Sequence, residues 1–439
     1  PRARARDACS RAMLRGAPIA MLRGARRLST AANIWAKIPA APPDPILGLV
    51  AAFKASDAPR KVNLSQGAYR GGDGKPYILP SIRAAERAIV SEDTDKEYLP
   101  QEGLAAFGKL ASEFVLGTDS AALKEGRVAT VQALSGTGAL RVCAALLKEV
   151  AKVDVIHLSQ PSWGNHHKIF GAAGLEVRSH RYIDASQTAL EFGAMKEDLA
   201  ALPPGSCVVL HACAHNPTGC DPTEAQWAEL ADLFLAKELV PLFDAAYQGY
   251  ASGNPDVDAA AVRAFEKAGA LPLVCQSFAK NMGLYGERVG ALNVVCASVA
   301  ERDAVFSQLQ GPILRPLWSS PPLHGARIAA KVLGDATLRT QWMGELKGMS
   351  DRIISMRVAL RAELERIGAP SPAGGGDWSH VDSQIGMFAF TGLSAAQVDR
   401  LREVHNVYLT RDGRASIAGL TSPDVPYVAA AIKEVVEAA

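Results

Sequence analysis

The sequence predicts an open α/β fold built on a mainly parallel sheet, and two observations carry that prediction. From Val128 onward, short apolar segments with strand character alternate with helical stretches. Nearly every such segment runs into a polar or glycine-bearing stretch. Examples are Ser135-Gly136-Thr137-Gly138, Ser159 to Trp163, Ala214-His215-Asn216, Asp244 to Tyr247 and Ser277 to Lys280. In an open α/β sheet the carboxyl ends of the strands are where ligands bind, so polar residues gathered there fit that architecture.

Taken in order, Asn33 to Pro45 reads as an extended arm, because Ala41-Pro42-Pro43-Asp44-Pro45 cannot be helical throughout. Lys61 to Arg70 follows, closed by the turn Gly71-Gly72-Asp73-Gly74. Val128 to Leu134 reads as a strand, then the glycine turn, then a helix from Ala139 to Val150. Strand, glycine turn and helix N-terminus together make an anion cradle, since the first amides are unpaired and the dipole favours negative charge. A dinucleotide fingerprint fails at its third glycine, where Arg141 stands, so a single phosphate is the better ligand; a plain turn is the competing reading. Further strands are expected over Val153 to Leu158, Ser206 to Cys213, Leu239 to Phe243, Leu271 to Cys275 and Val289 to Val295. Asp335 caps a helix running to Ile367, whose apolar positions from Trp342 to Leu364 step by three or four. At about 45 Å this helix is long enough to link two domains.

Composition narrows the function. The chain has 439 residues, 48% of them hydrophobic, and a net charge of +2. Residues 1–30 hold eight arginines and one acid, Asp7, a local charge of +7, so the remainder carries 2 − 7 = −5. A mildly acidic body argues against a nucleic-acid partner. The arginine-rich, lysine-free start has the composition of an organellar transit peptide, with a basic tail as the alternative, and residues 1–30 are set aside from the fold. The chain begins at Pro1 rather than Met, so further residues upstream are expected. Seven cysteines, an odd count without a C-x-x-C, fit a reducing compartment better than a disulfide framework. No apolar run is long enough to span a bilayer. His211, Cys213 and His215 alternate on one face, but no fourth ligand has suitable spacing, and no metal is expected.

Lys280 is the most pointed residue. It stands at the end of a buried strand, before glycines that turn the chain back. Desolvation there favours the neutral amine, which attacks carbonyls to form a Schiff base. The plain alternative is a lysine that snorkels to the surface. Trp163 offers either a flat face for a ring or a core side chain. Asp244, a carboxylate at a buried strand end, needs a cation or caps the next turn.

The stretch Ser277 to Arg288 closely resembles the lysine segment of aspartate aminotransferases, the fold-type-I enzymes that use pyridoxal 5'-phosphate. The resemblance runs from about Pro42 to the C-terminus. It includes Asn63-Leu64-Ser65-Gln66-Gly67-Ala68-Tyr69-Arg70, Lys96-Glu97-Tyr98-Leu99-Pro100, Leu314 to Pro322, Gln384 to Gly392 and Asp412-Gly413-Arg414. Ser65, Gln66, Trp318 and Ser320 depart from the family pattern.

The resemblance implies a mainly parallel seven-stranded sheet in a large domain at 76–348. A smaller α/β domain would be formed by 46–75 and 349–439, behind an arm at 31–45. It implies that Lys280 holds pyridoxal 5'-phosphate and shuttles the substrate's α-proton. It implies that Asp244 keeps the cofactor's ring nitrogen protonated, oriented by His166, and that Tyr247 and Asn216 bond to its phenolic oxygen. Trp163 would stack on the ring. Ser135, Gly136, Thr137, Ser277, Arg288 and a neighbouring subunit's copy of Tyr98 would hold the phosphate. Gly67, Trp163 and Asn216 would border the substrate, Arg414 would clamp its α-carboxylate, and the neighbour's copy of Arg315 its side-chain carboxylate. The implied activity is reversible amino transfer between L-aspartate and 2-oxoglutarate, giving oxaloacetate and L-glutamate, in a homodimer with shared sites in the mitochondrial matrix or a plastid. Aromatic amino acid or kynurenine transamination, β-lyase activity and a phosphate-binding protein without turnover are the rival readings.

Overall fold

The computed structural model describes residues 34–92, 95–186, 188–372 and 377–438, so the transit peptide expected at 1–30 lies outside the described residues. The chain divides into two compact units, 1–43 and 44–439. The described part of the first is a short 3-10 turn, Ile34–Lys37, followed by exposed irregular chain.

In the second unit the strands are β1 (Val62–Asn63), β2 (Val128–Leu134), β3 (Val155–Gln160), β4 (Glu176–Arg181), β5 (Cys207–His211), β6 (Val240–Ala245), β7 (Leu273–Ser277), β8 (Val289–Val295), β9 (Phe388–Phe390), β10 (Val407–Tyr408) and β11 (Arg414–Ser416). Seven of them form one sheet in the order β2-β8-β7-β6-β5-β3-β4. Strand β8 runs antiparallel to both neighbours and the other pairings are parallel. The mainly parallel sheet expected from the sequence is therefore present. β5, β7 and β8 are buried along their whole length, as apolar strands covered on both faces must be. Parallel register sets His211 beside Asp244, and Asp244 beside Cys275, so the polar strand ends line up along one edge. β1 pairs with β10, and β9 pairs antiparallel with β11.

The differences from the expected boundaries have physical causes. β3, β6 and β7 extend about two residues beyond the apolar runs, because Ser159-Gln160, Asp244-Ala245 and Gln276-Ser277 still ladder through their backbones. The strand β4 was not anticipated: Glu-Val-Arg-Ser-His-Arg is charged, as befits an edge strand. The helix expected from Ala139 instead begins at Ser135 (α1, Ser135–Ala145), making the glycine stretch its first turn. Ser135 opens that turn at φ 62°. Gly290 permits it, since a Cβ there would lie 2.6 Å from the Ser135 carbonyl carbon and 2.5 Å from the Gln276 oxygen.

Two further helices matter for the site. α2 (Gly164–Ala172) follows β3 and carries His166 on its first turn. α3 (Ala336–Arg366) is capped by Asp335, whose carboxylate accepts the Thr337 and Leu338 amides, and it buries the expected stripe from Trp342 to Leu364.

Candidate active site

A cavity of about 500 Å³ opens at the carboxyl edge of the sheet. Ser135, Gly136, Thr137, Trp163, Asn216, Asp244, Tyr247, Ser277, Lys280, Arg288, Arg414 and Gly67 all line it. Residues expected from scattered strand ends are thus brought to one place. Tyr98 and Arg315 are not among the lining residues of this single chain, and Tyr98 is 92% exposed.

At the floor lies Asp244, at the end of β6. Burial alone would raise its pKa; the hydrogen bond and charge of His166, with His211 and Lys280, hold it below the ordinary carboxylate value. His166 Nε2 sits 2.9 Å from Asp244 Oδ2, and Ser162 Oγ lies 2.9 Å from the other ring nitrogen. The second carboxylate oxygen, Oδ1, is buried and has no partner among the described residues. A buried charged oxygen left unpaired costs one to several kcal/mol, about 1–3 for an ordinary polar group and more for an ion. Asp244 is itself one of the residues that line the cavity.

His211 extends the chain. Its Nδ1 accepts the Asn216 amide at 3.3 Å, and its Nε2 faces Ser162 Oγ at 3.4 Å. Burial, helped by the charge of His166, pulls its pKa to about 3. Of the weak metal pattern of His211, Cys213 and His215, the two histidine rings pack against each other, 4.1 Å apart and tilted by 46°, and His215 bonds to Ser159 and Thr218.

Lys280 faces the same space. Burial lowers its pKa; the Asp244 charge opposes that, while Arg288 and Arg414 push the same way as burial. Its Nζ lies 5.0 Å from the Tyr247 ring centroid. Tyr247 and Asn216 are joined through Asn216 Nδ2 and the phenolic oxygen at 3.4 Å. Burial raises the Tyr247 pKa, against the charge of Arg414.

Arg414, on β11, is 4% exposed. It donates to Asn216 Oδ1 at 3.1 Å and to the Ser65 carbonyl at 3.0 Å, and it lies 4.2 Å over the Phe388 ring. Its Nε has no partner among the described residues. Asn216 is held in turn by Asp221, whose carboxylate accepts the Ala214 and His215 amides at 2.5 and 2.8 Å. That turn is left-handed at Ala214, φ 51°.

On the opposite side, Ser135 and Ser277 hydroxyls lie 2.7 Å apart at the start of α1. Arg288 reaches over them, donating to the Tyr285 and Leu134 carbonyls. Helix amides, two hydroxyls and a guanidinium make a cradle for one phosphate. Tyr285, in the quoted lysine stretch but given no role from sequence, also lines the cavity; its oxygen accepts the Tyr69 amide at 3.0 Å. Gln66 lines it as well.

A phosphate cradle, a desolvated amine and an unpaired carboxylate oxygen in one cavity match the three functional ends of pyridoxal 5'-phosphate: its phosphate, its aldehyde and its basic ring nitrogen. The residues present therefore fit that group. A larger, open groove of about 1060 Å³ lies elsewhere, but its arginines are already committed, Arg181 to Asp198 and Arg411 to Asp399.

Residues 59–432 match the family described as aminotransferase class I and II. The chain is 50% identical over 408 residues to a chloroplastic aspartate aminotransferase 3 of Arabidopsis thaliana, covering 93% of this chain and 90% of the relative. It is 46% identical to a mitochondrial aspartate aminotransferase of Dictyostelium discoideum, covering 93% and 95%. Among solved structures, the cytoplasmic aspartate aminotransferase of Saccharomyces cerevisiae superposes with a TM-score of 0.89 at 43% identity, covering 92% of this chain and 98% of the other. An aromatic-amino-acid aminotransferase of Burkholderia pseudomallei, covalently bound to pyridoxal phosphate, superposes with a TM-score of 0.88 at 42% identity, covering 92% and 100%.

The buried histidine gives a pH prediction. A folded-state pKa near 3 against the ordinary 6.5 means the unfolded chain binds more protons between those values, so stability is full above about 6.5 and is lost as pH falls towards about 3. His211→Gln should flatten unfolding free energy against pH in that window by about one proton's worth of slope. Denaturant titration at several pH values measures it; an unchanged slope would show that His211 does not carry the effect.

Proposed function

The chain belongs to the class I and II aminotransferases, and from that membership and its site we propose that it is an L-aspartate:2-oxoglutarate aminotransferase using pyridoxal 5'-phosphate. The observation that supports this most is the partnerless Oδ1 of buried Asp244 in one cavity with Lys280 and Arg414. The cofactor supplies an electron sink that lets an amino acid lose its α-proton and exchange its amine.

The chain's own residues do the rest. Lys280 would hold the cofactor through its aldehyde carbon, and its amine would take up the proton released from the substrate Cα. Its lowered pKa suits it to accept that proton. Asp244 would keep the cofactor's ring nitrogen protonated, and His166 holds the Asp244 carboxylate. Tyr247 and Asn216 would bond to the phenolic oxygen, and Trp163 would pack against the ring. Ser135, Gly136, Thr137, Ser277 and Arg288 bind the phosphate, with the neighbouring subunit's copy of Tyr98. Arg414 receives the α-carboxylate beside Gly67, and the neighbour's copy of Arg315 receives the side-chain carboxylate. Two arginines fix the reactive pose and select dicarboxylates. In this reading residues 46–75 and 349–439 form a smaller domain beside a large one at 76–348.

A second reading, aromatic amino acid or kynurenine transamination, is favoured by the likeness to the Burkholderia enzyme and by Gln66 in the cavity wall. An amino-donor panel with 2-oxoglutarate separates the two. The proposal expects aspartate to lead and Lys280→Ala to abolish turnover; phenylalanine or kynurenine in the lead would replace it with the second reading.

The arginine-rich residues 1–30 support a mitochondrial address, with a plastid as the alternative; the relatives include mitochondrial, chloroplastic and cytoplasmic forms. A fluorescent reporter fused behind residues 1–32 should enter mitochondria, and plastid or cytosolic signal would refute that address.

The exposure of Tyr98 and the place of Arg315 outside the cavity support a homodimer with shared sites. Lys280→Ala and Arg315→Asp homodimers should each be nearly inactive towards aspartate. Refolded together, random pairing makes about half the dimers mixed, each with one intact site, so about a quarter of wild-type activity should return. No recovery above the two separate backgrounds would mean that Arg315 serves its own chain.

A further inference from the structure

Arg357 lies on α3 and is 2% exposed, yet among the described residues it bonds to no carboxylate side chain. A buried guanidinium is costly unless its donors are satisfied. Here both Nη groups are spent on main-chain carbonyls, while Nε has no partner among the described residues. Nη1 donates to Val381 O at 2.9 Å, and Nη2 donates to Gly386 O at 2.8 Å and to Phe388 O. One side chain therefore grips three points along the segment that becomes β9.

That segment borders the cavity, although Arg357 does not line it. β9 is the ladder partner of β11, with Phe390 opposite Arg414 and Phe388 opposite Ser416. The Phe388 ring touches three parts of the site. The Arg414 guanidinium lies 4.2 Å from its centroid, and the Tyr247 ring meets it edge-on at 6.4 Å. Gly67 approaches so closely that a Cβ there would lie 2.6 Å from Phe388 Cζ. Gly386, in the left-handed region at φ 82°, has its α-carbon so near Ala214 that a Cβ would lie 2.4 Å from the Ala214 side chain, two residues before Asn216. A small slide of β9 would thus move the floor under Arg414 and press on the turn that carries its Asn216 partner.

We propose that Arg357 is a positioning residue for the carboxylate-binding arginine: by holding the carbonyls of Val381, Gly386 and Phe388 it fixes β9, and with it the aromatic floor on which Arg414 rests. This rests on the reading that Arg414 receives the substrate carboxylate. The geometry assigns Arg357 no contact with substrate or cofactor. Its loss acts on carboxylate affinity while the phosphate cradle, on α1 and β7, is untouched. Lysine is a poor substitute, because a single ammonium cannot reproduce a planar fork aimed at separated carbonyls.

The test is succinate binding, an unreactive dicarboxylate, to the holoenzyme by calorimetry. It compares wild type, Arg357→Lys, Arg357→Met, Arg414→Lys and the Arg357→Lys/Arg414→Lys double variant. Thermal unfolding and the cofactor absorption band are recorded alongside. Arg357→Lys should weaken succinate about tenfold, the worth of one charge-assisted hydrogen bond, with the cofactor band unmoved. In the Arg414→Lys background the same change should add almost nothing, since there is no clamp left to position. Arg357→Met should weaken binding further; where it fails to fold, the lysine variant decides. Unchanged succinate affinity in folded Arg357→Lys, equal losses in both backgrounds, or a shifted cofactor band would each overturn the proposal. If Arg414→Lys binds succinate as wild type does, the carboxylate reading itself fails. If Arg414→Lys weakens binding and Arg357→Lys does not, only the positioning role fails.

Discussion

The site depends on one buried hydrogen-bonded pair, His166 with Asp244. A carboxylate at the end of a covered strand pays heavily for leaving water, and burial is the largest influence on its protonation. It remains ionised because one oxygen meets the His166 ring at 2.9 Å, backed by Ser162 and by the charge of Lys280. The second oxygen is left unsatisfied. Folding thereby prepares a negative point at a buried strand end that lines the cavity, where a charge interacts more strongly than it does in bulk water. The rest of the sheet edge is arranged around that point.

The same balance governs Lys280. Burial and two nearby guanidiniums favour its neutral amine, while Asp244 favours the ammonium. A cation at the Asp244 oxygen would screen that pull, so occupation of the cavity and the basicity of the lysine are linked. On the far side, Arg414 is held by Asn216, Ser65 and the Phe388 ring before any anion arrives. Binding a carboxylate there costs little reorganisation, which is the advantage of a fixed polar site over water. Asp221 and Arg357 do the holding from behind, one through two amides and the other through three carbonyls.

Much of this was legible in the sequence, for a physical reason. Apolar runs that end in polar residues mark covered strands whose ends meet a ligand, which located Lys280, Asp244, Asn216 and Ser135. The resemblance then supplied Arg414, which composition alone would have left as an ordinary basic residue. Other features were hidden. The edge strand β4 reads as a charged loop, because edges are protected by charge. The helix start at Ser135 was masked by two glycines, although a left-handed serine packed against Gly290 opens the helix there. His211 carried only a weak metal-like spacing, because its use as a neutral spacer depends on Ser162, which is 49 residues away. Arg357 looked like any arginine on a long helix. Only the fold shows it turned inward.

The most direct test of the account is exchange of the α-proton of L-aspartate for deuterium, catalysed by holoenzyme in the absence of keto acid and followed by NMR. Asp244→Ala should still carry pyridoxal phosphate on Lys280, seen by intact mass after reduction. Its exchange should nevertheless fall by on the order of a thousandfold, because the charge that sustains the electron sink is gone. Exchange at the wild-type rate in a fully loaded Asp244→Ala protein would contradict the account, since the buried carboxylate would then have no part in moving that proton.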